Sequence, residues 1–87
     1  MAKFNEKYNV EVFTVAEWAE LDGYTEEEAM EVYRSEEGVP AVEIYANIDS
    51  AICGVKYADG RFGIFGAGMD TDNVTEEEMY AAIEAGF

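Results

Sequence analysis

The spacing of apolar residues along the chain changes period several times, and each change marks a predicted element. From Asn9 to Phe13 the residues Val10, Val12 and Phe13 make a β-branched and aromatic run, which predicts a first strand. Residues 1–8, with Lys3 and Lys7, read as a loose lead-in to it. The period then lengthens to that of a helix. Trp18 and Leu21, one turn apart, form the inward face of a short helix ending near Asp22, where Gly23 can adopt the left-handed terminal conformation. A second helix is expected from Thr25 to about Glu37. Ala29, Val32 and Tyr33 face inward with Met30 at their edge, and Glu27, Glu28, Glu31 and Arg34 face outward; Gly38 and Pro40 end it.

From Ala41 the period is two. Val42, Ile44, Ala46 and Ile48 alternate with Glu43, Tyr45 and Asn47, the signature of a strand with one covered face. After a turn at Asp49-Ser50, residues 51–58 form a strand, Asp59-Gly60 a two-residue hairpin turn, and residues 61–67 the returning strand. Gly63, Gly66 and Gly68 thin out its side chains, which predicts a bulge or a close backbone approach. Residues 68–73 read as loop. A last helix runs from Thr75 to near Phe87, with Met79, Ile83 and Phe87 as its covering stripe. The order β-α-α-β-β-β-α describes one α+β domain over residues 1–87, a small antiparallel sheet of three to four strands with helices packed on one face. The pattern does not say whether the first strand joins the later three.

All three helix starts share one chemistry. Thr14-x-x-Glu17, Thr25-x-x-Glu28 and Thr75-x-x-Glu78 are capping boxes, in which threonine accepts from the third helical amide and glutamate reaches back to the cap. Two of them lie in identical Thr-Glu-Glu-Glu tetrapeptides, but the sequence between shows no duplication. Capping accounts for the threonine and the third glutamate of each. The other glutamates gain only from the helix dipole.

Charge changes the picture most. The 87 residues hold 20 Asp and Glu against 5 Lys and Arg, for a net charge of −15, and no histidine. Hydrophobic residues make up 49% of the chain, enough for one modest core and a folded state despite that charge. Such a field repels nucleic acid and anionic membranes and speeds encounter with basic proteins. Direct nucleic-acid binding and membrane association are therefore excluded as expected roles. A lone Cys53 rules out an intramolecular disulfide; in its apolar run Ala51-Ile52-Cys53-Gly54-Val55 it reads as a buried small hydrophobe. Residues 1–6 lack the apolar stretch of a signal peptide, and no run is long enough to span a bilayer. The expected location is cytoplasmic, in a host cell if the protein is phage-encoded.

Candidate chemistries fail on particular residues. Val15 to Arg34 has a helix-turn-helix outline, with Ala19, Gly23 and Ala29 well placed, but the would-be reading helix opens with Glu26, Glu27, Glu28 and Glu31. Phosphates would repel it. Asp70-Thr71-Asp72-Asn73 suggests a calcium loop, yet the fifth, sixth and twelfth positions are Val74, Thr75 and Ala81, so no metal site is expected. Gly63-x-x-Gly66-x-Gly68 matches no nucleotide-binding pattern. Without histidine Cys53 has no activating base, and no carboxylate pair stands out for acid–base work, so no catalytic residue and no cofactor are expected.

What remains is an acidic surface. Glu27 and Glu31 lie one helical turn apart, about 5–6 Å, comparable to the phosphate step along a strand. Tyr24 and Tyr45 are expected beside such carboxylates, and tyrosine is frequent in binding hot spots. The expected function is a non-enzymatic inhibitor that binds a basic, nucleic-acid-handling protein as a DNA mimic. In size and charge, though in no motif, the chain resembles phage-encoded inhibitors of CRISPR or restriction nucleases. The expected protein-binding residues are Tyr24, Glu26, Glu27, Glu28, Glu31, Asp70, Asp72, Glu76 and Glu77. An acidic antitoxin or immunity-type partner of one dedicated basic protein is the alternative, as is a plain acidic adaptor. A homodimer is compatible with either.

Overall fold

Ile44 and Tyr45 are sequence neighbours, so on a strand they point to opposite sides of the sheet, and both are buried. Both faces of this sheet are therefore covered. The computed structural model describes residues 3–66 and 68–86 and shows how. Six strands, β1 (Lys3–Asn5), β2 (Val10–Thr14), β3 (Ala41–Ala46), β4 (Cys53–Tyr57), β5 (Phe62–Gly66) and β6 (Met69–Val74), form one sheet in chain order. Every neighbouring pair is antiparallel. Between β2 and β3 the chain leaves the sheet as helices α1 (Val15–Asp22) and α2 (Glu26–Val32), and α3 (Glu76–Ala85) follows β6.

The α+β class and the antiparallel sheet agree with the sequence reading, but the sheet has six strands rather than three to four. The first predicted strand does join the sheet, Phe13 pairing with Ile44. Residues 3–5 of the supposed lead-in add a strand beside it, turning back at Asn9, which takes a left-handed φ of 56°. Residues 69–74, read as loop from their polar composition, are an edge strand on β5.

Helices lie on both faces, not one. On one side α1 and α2 bury Val15, Ala19 and Ala29 against Ile44, Val55 and Tyr57, with Phe13, Trp18, Tyr33 and Phe65 packed around them. On the other, Met79, Tyr80 and Ile83 of α3 cover Val10, Tyr45, Ile52 and Ile64. Gly54 makes this second approach close, because a Cβ there would run into Met79 and Ile83. Tyr45, expected on the surface, is consequently only 4% exposed.

Other inward assignments move outward. The second helix stops at Val32, five residues short of Glu37, as Ser35, buried, accepts from Gly38 N and donates its amide to the Val39 carbonyl in a tight turn. Val32 is then 54% exposed, Leu21 67% and Ile48, beyond the end of β3, 98%. Cys53 is half-buried rather than buried. Phe87 of the predicted α3 stripe lies outside the described residues, while Met79 and Ile83 are buried as expected. Register slips between Phe62 and Ile64, opposite β6, so the bulge expected from the glycines is present. At Gly63 a Cβ would lie 2.8 Å from the Thr71 carbonyl oxygen, the expected close backbone approach.

Candidate functional site

All three capping boxes form. Thr25 Oγ1 accepts from the Glu28 amide at 3.2 Å while the Glu28 carboxylate accepts from Thr25 N at 3.0 Å, and Thr75 with Glu78 repeats this at 3.1 and 2.9 Å. Thr14 and Glu17 close the third. The boxes consume the third glutamate of each Thr-Glu-Glu-Glu run. Glu26, Glu27, Glu76 and Glu77 are exposed and make no hydrogen bond or ion pair among the described residues. They are charges at helix starts with no paired cation among the described residues.

The sheet separates these two acidic turns. Glu26, Glu27, Glu28 and Glu31 belong to α2 on one face, and Glu76 and Glu77 to α3 on the other. Tyr24, 40% exposed, precedes the α2 cap and borders the first group. Asp70 and Asp72 join α2 rather than α3. On β6 they sit two residues apart and face the α2 side, where Asp72 Oδ2 accepts from the Glu36 amide at 2.7 Å and ties the turn after α2 to the sheet edge. Between α2 and β6 opens a cleft of about 400 Å³, lined among others by Glu31, Arg34, Tyr57, Asp70 and Asp72. Three of the nine expected binding residues thus converge there.

The cations do little to offset this field. Arg34 bonds Glu31 at 2.8 Å on its own helix turn. Arg61 is held by Asp59 at 2.7 Å and Glu37 at 2.6 Å, and these two acceptors in turn keep its guanidinium firmly protonated. Lys56 lies 4.0 Å from Glu43, and Lys7 stands over the Tyr8 ring. Of the 20 carboxylates, all but Glu17, Glu43 and Asp72 are exposed.

Tyr57 is a cleft residue that sequence reasoning missed, as are Val32, Arg34, Ser35 and Glu36. Its signal was the parity it shares with Val55, which puts both on the α1–α2 face. Finding the cleft also required reading residues 69–74 as a strand, which their composition conceals. Burial, reinforced by Asp72 and Asp70, pushes the Tyr57 phenol up to about 12, so it is a neutral hydroxyl at neutral pH.

Among the described residues no group of three His, Cys, Asp or Glu side chains is arranged to hold a metal ion. Among these residues no helix is long and apolar enough to cross a membrane. Comparison with known proteins finds no family model, no curated protein and no solved structure that matches the chain.

Proposed function

We propose that this protein is a non-enzymatic acidic inhibitor that binds a basic, nucleic-acid-handling protein, competing for its nucleic-acid surface as a DNA mimic of the phage anti-defence type. The observation that carries the reading is the placement of the charge. The net −15 is displayed on the outside, while Arg34, Lys56 and Arg61 are bound up in pairs with neighbouring carboxylates. Folding uses the capping glutamates but has no comparable use for Glu26, Glu27, Glu76 and Glu77. At a helix start each contributes about 0.3–1 kcal/mol through the dipole, against mutual repulsion with its neighbours. A surface of this kind attracts basic partners at long range and rejects nucleic acid. Along α2, Glu27 and Glu31 repeat at a spacing of about 5–6 Å, close to that of a phosphate backbone.

Retention assays test this directly. The immobilised protein is incubated with a mixture of DNA-binding proteins, washed at low and high salt, and challenged with excess duplex DNA. The expected result is retention of a basic protein at low salt, loss at high salt and displacement by DNA. Replacing Glu26, Glu27 and Glu31 together with Gln should leave the circular dichroism spectrum unchanged and weaken retention roughly tenfold, chiefly through slower association. No retention at low salt overturns the proposal. A retained protein that DNA cannot displace overturns the mimicry and favours a dedicated antitoxin- or immunity-type partner.

A further inference from the structure

The cleft between α2 and β6 contains a second feature besides its carboxylates. Tyr57 is only 4% exposed, yet its hydroxyl has no hydrogen-bond partner among the described residues. The hydroxyl lies over Gly63, 2.5 Å from where a Cβ would stand, and that position is 3.0 Å from the Asp72 Cα on the β6 wall of the cleft. The ring is buried while the hydroxyl itself stays open to the cleft, so a donor entering there can bond its oxygen. Beside it Asp70 makes no hydrogen bond or ion pair among the described residues, and the Glu36 amide occupies only Oδ2 of Asp72. Arg34 at the cleft's other wall is already engaged by Glu31.

Among the described residues no three carboxylates are grouped to hold a metal ion, and this cleft offers Asp70, Asp72 and the Tyr57 oxygen as acceptors. A ligand that suits them carries positive charge over several donors in a plane. Guanidinium does so, with five N–H groups in a fixed fork, whereas an ammonium is a compact point charge. We infer that the cleft receives an arginine side chain of a basic partner, its guanidinium donating to Asp70 and Asp72 and to the phenol oxygen of Tyr57. The inference rests on the proposed function for the identity of the partner, and it assigns the arginine-specific part of the contact to one place on the acidic surface.

The test is an NMR titration of the full chain with acetyl-Gly-Arg-Gly-amide, repeated with acetyl-Gly-Lys-Gly-amide and with magnesium chloride. Saturable shifts are expected at the backbone amides of residues 35–36 and 70–72, with the lysine peptide several-fold weaker and magnesium giving no saturable shift there. Tyr57→Phe should weaken the arginine peptide about three- to tenfold, and Asp70→Asn about tenfold. Tyr57→Phe removes a hydroxyl that makes no hydrogen bond among the described residues, and Asp70 is exposed, so both variants should keep the parent amide spectrum. Equal binding of arginine and lysine peptides, shifts centred on the helix starts at Glu26 and Glu76, or unchanged affinity in both variants overturns the inference. Peptide binding in the cleft with no basic protein retained would sink the functional reading and leave the cleft assignment standing. A retained partner indifferent to both substitutions does the reverse.

Discussion

Tyr33, Tyr45 and Tyr57 hold their phenolic protons tightly because each is packed against the sheet. Burial is the main cause at all three, and a nearby carboxylate adds to it: Asp22 at Tyr33, Glu43 at Tyr45 and Asp72 at Tyr57. Tyr33 and Tyr57 are pushed up to about 12, and Tyr45 is raised further. In the unfolded chain tyrosine ionises near 10. The folded state thus binds these protons more strongly, and the associated stability is fully present below about pH 10 and is lost as the pH rises through about 12. The thermal midpoint should accordingly fall between those values, with tyrosinate absorbance from these three rings appearing together with unfolding. A midpoint that stays level to pH 12 would contradict this account. On paper the six tyrosines look alike. Tyr45 seemed a surface residue because its neighbours Ile44 and Ala46 claimed the covered face. It is buried because α3 arrives on the opposite face, a fact no local pattern contains.

Helix starts and helix ends differ in how locally they are encoded. A capping box is closed by residues three apart, so Thr14, Thr25 and Thr75 could be identified without knowing the fold, and all three accept the expected amide. Thr75→Ala should cost about 1 kcal/mol in a urea unfolding experiment, whereas Glu76→Gln and Glu77→Gln, at exposed residues with no hydrogen bond or ion pair among the described residues, should each change stability by under about 0.5 kcal/mol. Equal losses from all three would show that the first-turn charges, rather than the cap, hold α3. The end of α2 was harder to place, since it depends on a turn closed by Ser35, Gly38 and Val39 and on Asp72 reaching Glu36 from a strand far along the chain. Strand β6 was hidden for a related reason. Asp70-Thr71-Asp72-Asn73 has a loop's composition, and what makes it a strand is the hydrogen-bonding edge that β5 offers.

The molecule as a whole carries a repulsive field that its own cations barely relieve. Salt should therefore stabilise it. Going from about 10 mM to 150 mM ionic strength shortens the screening length from about 30 Å to 8 Å, and each ~1 kcal/mol gained this way raises the melting temperature of a domain this size by about 4–8 °C. A melting temperature indifferent to salt would mean that the exposed carboxylates are too far apart to repel one another. Charge, class and helix starts were determined by the sequence alone, because net charge is a sum over residues and capping is a contact within one turn. The number of strands, the covering of both faces and the meeting of Glu31, Asp70, Asp72 and Tyr57 in one cleft were decided only by the tertiary structure. Those depend on which strand edges find partners and which side of the sheet each helix crosses, and such choices are settled by contacts between residues distant in the chain.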